Sequence, residues 1–489
     1  MLYRPPAEKN ALWDTWLLEK DGIFYLFSLT RDNPKTALWD SFRLAVSTDC
    51  VHWQDKGVIL RKADSVDWMG TGHTWKVGDK YILNYSECTG NLQTIKFATS
   101  SDLLQWDELG DNYISLPDSR WYQVGLENSP TATPRWDCIY VIPAENRDGY
   151  VGFLTANANF GHPSRRGVAG CVYSKDSLHF EALPPAVNPG LSAEIEVGGV
   201  AKIGSNWYMA VSLPHNLLGE RNAWPDAANS GTQYLVSKNQ TGPYILPTGN
   251  NRLLSAPKGW SYFGRFFSHA GKVFLNHHVI PAFAEDGISF APLKEVREIE
   301  DGSIALFYWS GNNALKGDVL PIKLNNFIPI LCGSVDPCHW TVNDNFMTAS
   351  ADGCAGITTI NLNEQNRHGI IIDINIKFNS KTGSAGILLA PGNNNGHVLL
   401  IHQNGTAEVG TIHKNRYGWN IESLHTLPDF ISPTENYHLK CLTLNSFAEF
   451  YINDRLIDVI SLPFIPTEIG MIAEDCEVVF SEMVVVEMG

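Results

Sequence analysis

The sequence predicts an all-β protein, a five-bladed β-propeller followed by a C-terminal β-sandwich. Three observations carry this: short alternating apolar runs bounded by Gly, Asp and Asn, a Gly-turn unit that recurs five times, and the loss of that unit beyond about residue 320. No long helical periodicity competes with them. The composition agrees, because 15 Trp, 17 Tyr and 22 Phe beside 41 Gly and 26 Pro describe aromatic surfaces joined by tight turns.

The first signature is a Gly turn that leads into an aromatic strand. Its copies are Asp21-Gly22-Ile-Phe-Tyr25, Gly78-Asp79-Lys80-Tyr81, Asp148-Gly149-Tyr150, Gly204-Ser-Asn-Trp207-Tyr208 and Ala270-Gly271-Lys-Val-Phe274, with Gly intervals of 56, 71, 55 and 67 residues. A second signature follows at one offset in three units: Ser47-Thr-Asp49-x-x-x-Trp53, Ser100-Ser-Asp102-x-x-x-Trp106 and Ser174-Lys-Asp176-x-x-x-Phe180, with a degenerate copy at Ser237. Asp caps its own turn, and the aromatic then packs between adjacent sheets. Each unit holds about four strands, so five units make a propeller, assigned to residues 1–320. The fifth is the least regular, with closing strands expected at Glu295 to Glu300 and Ser303 to Trp309.

Beyond Leu320 the chain passes through Ile328-Pro-Ile-Leu-Cys-Gly and the pattern changes. Alternating runs at Gly369–Phe378, Ala385–Leu389, His397–Ile401 and Glu449–Asn453 are spaced like a two-sheet sandwich, assigned to residues 335–489. Its expected work is to cover apolar propeller surface; part of a substrate cleft or a homodimer contact are the alternatives.

Composition also limits the function classes. Only 18% of the 489 residues are charged and 44% are hydrophobic, which excludes disorder. With 36 Lys+Arg against 52 Asp+Glu the formal charge is −16, and no basic run reverses it, so nucleic acid is not an expected partner. Nine Cys without a Cys-x-x-Cys pair indicate neither a zinc site nor a dense disulfide framework. No stretch reaches the ~20 apolar residues of a membrane helix. Met1 to Asn10 lacks an apolar signal core. The expected location is therefore cytoplasmic, or secreted if a signal precedes this numbering. There is no Gly-rich phosphate loop, nucleophile elbow or His-Glu-x-x-His helix, so no cofactor and no metal are expected.

In a propeller the first strand of each blade lines the central channel, and ligands bind at its mouth. Eight residues before the Gly turns stand Asp14, Gly70, Glu196 and Phe263. Blade three carries the insertion Pro143-Ala-Glu-Asn146, which displaces its register and brings Asp137 to the comparable place. Three acids on three blades then converge. A lone Asp near a turn usually caps it or pairs with Arg. Acids sharing a pocket raise one another's pKa instead, which holds one protonated and another ionised, the state that glycoside cleavage requires.

At these residues the chain resembles glycoside hydrolase family 32, the β-fructofuranosidases, invertases and fructanases. The family motif Trp-Met-Asn-Asp-Pro-Asn-Gly is similar to Leu12-Trp13-Asp14-Thr15-Trp16, with Asp14 eleven residues before Tyr25. Arg-Asp-Pro is matched by Arg135-Trp136-Asp137-Cys138, and Glu-Cys-Pro-Asp by Glu196-Val-Gly-Gly, eleven residues before Trp207. Glu194 is a competitor whose spacing is off by two. Phe-Ser-Gly-Ser resembles Trp68-Met69-Gly70-Thr71. The resemblance implies Asp14 as nucleophile, Asp137 as transition-state stabiliser and Glu196 as acid/base, acting on a fructofuranosidic bond of an oligosaccharide or small glycoside. The neighbours of the acids depart from the family pattern, which opens the related family 43, where the same three positions invert. Carboxyls about 5 Å apart suit retention and roughly 6.5 to 9.5 Å inversion.

Arg135 is expected to hold ring hydroxyls. Trp13, Trp16, Trp68 and Trp75 are candidate platforms for sugar faces, with core packing as the alternative. His73, His277 and His278 are expected to be structural, with a sugar or metal contact as the alternative. A non-catalytic carbohydrate-binding propeller is the reading from another class.

Overall fold

The computed structural model describes residues 3–6, 12–33, 38–127, 133–212, 231–255, 261–282, 287–330, 332, 338–343, 345–362, 369–392, 395–416, 418–427, 436–444 and 446–489. They divide into two compact units. The first runs to Ile280 and resumes over Gly287–Asn312, and the second holds Asn313–Gly489.

The first unit begins with four antiparallel four-stranded sheets, each in chain order. They are β1 (Leu12–Lys20), β2 (Ile23–Thr30), β3 (Ser41–Ser47) and β4 (Gln54–Arg61); β5 (Trp68–Val77), β6 (Lys80–Thr89), β7 (Leu92–Ser100) and β8 (Asp107–Glu108); β9 (Trp136–Pro143), β10 (Tyr150–Asn157), β11 (Gly167–Ser174) and β12 (Glu181–Leu183); and β13 (Glu196–Ile203), β14 (Asn206–Ser212), β15 (Gly231–Ser237) and β16 (Arg252–Ser255). The fifth repeat folds as β17 (Ser261–His269), β18 (Lys272–Val279), β19 (Ser289–Phe290), β20 (Lys294–Glu298) and β21 (Ile304–Tyr308). Four self-contained sheets therefore stand where the repeats predict five. In the fifth repeat β18 is shared between β19 and β20, and the Ser-x-Asp turn is missing, so the regular meander is interrupted.

Each Gly turn is a hairpin between the first two strands of its repeat. At Asp21-Gly22 and Ala270-Gly271 both turn residues are left-handed, as the two-residue hairpin that matches strand twist requires. The Ser-x-Asp turns also repeat atom for atom. Asp49 Oδ1 accepts from the Val51 and His52 amides at 2.9 and 2.8 Å, Asp102 Oδ1 from Leu104 and Gln105 at 2.8 and 2.9 Å, and Asp176 Oδ1 from Leu178 and His179 at 3.0 and 2.9 Å. Each turn delivers its aromatic ring to the preceding repeat. Trp106 lies edge-on to Phe27 at 6.3 Å, Phe180 stacks on Phe97 at 5.9 Å, and Trp53 of the first repeat meets Phe290 of the fifth at 5.6 Å. The inner strands β1, β5, β9, β13 and β17 contact one another in sequence, and β17 contacts β1. The sheets thus form a propeller-like ring.

The second unit is also all-β. One antiparallel sheet has the spatial order Ile328–Ile330, Ala355–Asn361, Glu468–Glu474, Ser384–Ala390, Asn395–His402, Ala407–Asn415 and Gly418–Leu427. A further run pairs Arg455–Ser461, Phe447–Ile452, Asn436–Leu444, Gly369–Phe378, Glu477–Met488, Phe346–Ser350 and His339–Val342. The unit boundary precedes the expected residue 320, because Lys316–Val319 pairs with the C-terminal strand, Lys316 opposite Met488. Among the described residues no helix is long and apolar enough to cross a membrane. Cys50, Cys88, Cys138, Cys171, Cys441 and Cys476 are free thiols.

Neighbouring inner strands approach closely where they lack side chains. A methyl group on Gly198 would overlap the carbonyl oxygen of Gly264. Gly198→Ala is expected to destabilise the protein by about 1–3 kcal/mol through overpacking, measured by urea unfolding.

Candidate active site

A residue in a regular strand points to one face or the other, and an extra residue re-aims the side chains after it. All five inner strands carry such an irregularity at one depth. It falls between Trp13 and Thr15, Met69 and Gly72, Val197 and Gly199, and Tyr262 and Arg265, and opposite Phe153 to Thr155 in β9, where Asp137 pairs with Thr155. Asp14 is the unpaired residue of β1 and has φ of 20°; Cys138 in β9 has φ of 41°. Left-handed backbone at non-Gly residues is costly and concentrates at functional sites.

The irregularities bring the three acids together. Asp137 is buried and accepts from Ser86 Oγ at 2.5 Å, Arg135 Nη2 at 2.7 Å and Gln93 Nε2 at 3.2 Å. It lies over Gly70, where a methyl group would come within 2.8 Å of Asp137 Oδ1. Asp14 Oδ2 accepts from Thr71, and its Oδ1 is buried with no hydrogen-bond partner among the described residues. Glu196 opens β13 and sits 3.6 Å from Arg135 Nη2.

Burial differentiates these carboxyls. Desolvation raises Asp14 to about 6, opposed by the Thr71 hydrogen bond and the Arg265 charge, with Asp137 adding to the rise. Desolvation raises Glu196 to about 8, opposed by Arg135, with Asp14 and Asp137 adding to the rise. Near neutrality Glu196 therefore keeps its proton while Asp14 loses its own. One group is a proton donor and the other a carboxylate, the two components of acid-assisted displacement at an acetal carbon.

Arg135 is a clamp among acids. Its Nη1 donates to Glu194, and its Nη2 serves Asp137 and Glu196. Glu194 is thereby tied to the guanidinium more closely than Glu196, which is the freer of the two carboxyls.

The tryptophans divide. Trp16 is buried, stacked on Phe27 at 5.3 Å, with its Nε1 donating to Thr74 Oγ1 at 3.0 Å. Trp75 is buried against Phe180 and His73. Both are core residues and offer no ring face to a sugar, correcting the expectation for them. The irregularity at Asp14 puts Trp16 on the same face as Trp13, opposite Phe27 and Leu29, and Trp16 lies deeper in that cluster. Trp13 and Trp68 are only partly buried. Trp13 stacks on Trp39 at 5.6 Å and touches Tyr262 and His278, making an aromatic group beside Asp14.

The histidines are buried and neutral. Desolvation lowers His73 and His278 to about 3. His277 is lowered further by burial and by Lys294, whose Nζ lies 2.8 Å from its Nε2. Among the described residues no His, Cys, Asp and Glu cluster could hold a metal ion.

Sequence reasoning missed Thr71, Ser86, Gln93, Trp39, Tyr262 and Arg265. For Arg265 a signal exists: it follows Gly264, and Gly inside a strand marks a bulge. Thr71 and Tyr262 lie on inner strands, each one residue from a channel-register position, Gly70 and Phe263; Ser86 and Gln93 come from second and third strands and Trp39 from a loop, which channel register does not reach.

No protein-family model matches the chain, and no curated protein does. Solved structures do. The chain is similar to an exo-inulinase from Aspergillus awamori, with a TM-score of 0.68, 14% identity, and coverage of 100% of this chain and 97% of that one. Fructan 1-exohydrolase IIa from Cichorium intybus matches with a TM-score of 0.66, 12% identity, and coverage of 100% and 96%. The Bombyx mori GH32 β-fructofuranosidase BmSUC1 matches with a TM-score of 0.64, 14% identity, and coverage of 96% and 89%. The chain shares its overall fold with these proteins.

The two classes of tryptophan separate experimentally. Trp16→Ala is expected to cost about 3–5 kcal/mol in urea unfolding, and Trp13→Ala about 1 kcal/mol, the worth of an aromatic pair.

Proposed function

We propose that the chain is a glycosidase that cleaves furanosidic bonds of short oligosaccharides, β-fructofuranosidic bonds first among them, by a two-carboxylate retaining mechanism. The observation that carries this is the meeting of Asp14, Asp137 and Glu196 around Arg135, with Asp14 and Glu196 both raised by burial. The fold likeness supports it, since fructofuranosidases have been solved with sucrose and with fructosylnystose.

In the first step an oxygen of ionised Asp14 attacks the anomeric carbon while Glu196 gives its proton to the leaving oxygen. The glycosidic bond breaks and an ester to Asp14 forms. In the second step ionised Glu196 takes a proton from water, whose oxygen displaces Asp14 and regenerates both groups. Asp137 is held by Ser86, Gln93 and Arg135 and accepts from sugar hydroxyls as positive charge develops on the ring. We read the β17 to β21 group as a fifth blade, and the two strand sets of the second unit as a β-sandwich.

A panel of sucrose, inulin, levan and nitrophenyl furanosides and pyranosides, with the product anomer followed by NMR, tests the reading. Cleavage of a fructoside with retained configuration is expected. An inverted product would replace the ester step by direct attack of water, and no cleavage of any member would leave only a binding role. Activity should follow a bell-shaped pH profile. It falls as pH drops through about 6, where Asp14 takes up a proton, and as pH rises through about 8, where Glu196 loses one. Glu196→Gln should lower kcat by roughly 10²–10⁴-fold and abolish the alkaline limb; undiminished turnover would remove Glu196 from the mechanism.

A further inference from the structure

Arg265 of β17 is 1% exposed, among the largest fully buried side chains of the chain. Its Nη1 donates to the Gly72 carbonyl at 2.7 Å, and its Nη2 lies 3.7 Å from Cys138 Sγ. Its Nε has no partner, and the guanidinium lies 5.8 and 5.6 Å from the ring centroids of Trp16 and Phe263. Among the described residues it makes no ion pair with a carboxylate. A buried charge without a partner in contact is expensive, and truncating it to an apolar group would relieve that cost. Its retention calls for a compensating charge at longer range.

The charged groups nearby identify that charge. Arg265 reaches β5 at Gly72 and β9 at Cys138, which adjoin Thr71 and Asp137 in the site. His73 of β5 is lowered to about 3 and the Cys138 thiol of β9 is raised to about 12, so both neighbours are neutral. His278 of β18, against Trp13, is neutral as well. The ionisable groups facing Asp14 are Asp137 and Arg135 from the start of β9, Glu196 of β13 and Arg265 of β17. Arg135 acts on both Asp14 and Glu196, whereas Arg265 acts on Asp14 and is not among the main influences on Glu196.

We propose that Arg265 is a positioning residue for the reaction, a fixed buried counter-charge held next to Thr71, the donor to Asp14, that selects which of the two carboxyls is the ionised one. The proposal rests on Asp14 being the nucleophile. Arg135 cannot make that distinction, because it stands between the acids. Arg265 can, because it bonds the Gly72 carbonyl next to Thr71, the donor to Asp14, and among the described residues makes no hydrogen bond or ion pair to Glu196.

The test compares Arg265→Gln with Arg265→Lys. Loss of the charge should move the acid limb of kcat/KM upward by roughly one pH unit and leave the alkaline limb in place, while Arg265→Lys keeps both limbs near wild type. A uniform fall in kcat with both limbs unmoved in Arg265→Gln, or an equal acid-limb shift in the two variants, would overturn the proposal and make the residue structural. A second readout needs no glycoside. A small aryl epoxide is opened by the Asp14 carboxylate to a hydroxyalkyl ester, the alkoxide taking a proton from water, and the adduct is located by peptide mass spectrometry. The pH midpoint of labelling should rise in Arg265→Gln; labelling that tracks wild type would overturn the proposal. If the wild type labels at Asp14 yet cleaves no glycoside, the function reading fails by itself. Should Arg265→Gln not fold, Arg265→Met takes its place in the comparison: an acid limb raised in Arg265→Met and unmoved in Arg265→Lys is expected, and an unmoved limb in Arg265→Met overturns the proposal.

Discussion

Four carboxylates, Asp14, Asp137, Glu194 and Glu196, share one desolvated region with two guanidiniums, Arg135 and Arg265. Full ionisation would leave negative charge unpaired where water cannot screen it, so the protons must be unevenly held. Pairing distance decides where. Arg135 grips Glu194 and Asp137 closely and Glu196 at 3.6 Å, so Glu196 is the group that keeps a proton. The chemistry proposed for the site follows from that unequal sharing more than from any single residue.

Such crowding demands a backbone that can aim side chains inward against the ordinary alternation of a strand. The register irregularities of the five inner strands supply it, and their glycines make room. Gly70 admits the Asp137 carboxylate, and Gly198 admits the backbone of the next strand. The ring in turn holds these strands together through aromatic rings that each Ser-x-Asp turn delivers to the preceding repeat. Turn chemistry at the outer edge and charge placement at the inner edge are thus parts of one repeat.

The likeness of fold holds at 12–14% identity. Within this chain the constant is a count of residues between a hairpin and a channel. Asp14 and Glu196 each stand eleven positions before a strand aromatic, Tyr25 or Trp207, because a strand advances about 3.3 Å per residue from its turn. The identities in between are free to change so long as the strands pair and the gaps stay filled.

Register was therefore legible in the sequence, and with it the all-β class, the repeats, the two-part organisation and the three acids. Contact between strands was not. Trp13 and Trp16 look alike in a row of letters, and the irregularity at Asp14 puts both on one face of β1, yet Trp16 lies deep in the core while Trp13 stays partly buried beside the carboxylate. The fifth repeat keeps its Gly turn but not the regular meander, since β18 pairs with both β19 and β20. Arg135 could be placed near Asp137 by adjacency, but its grip on Glu194 spans 59 residues. Arg265 lies 193 residues from its Gly72 partner. Local spacing along one strand determines which face and depth a residue occupies, and the sequence carries that alone; which charges then meet is a property of ring closure, which only the tertiary structure decides.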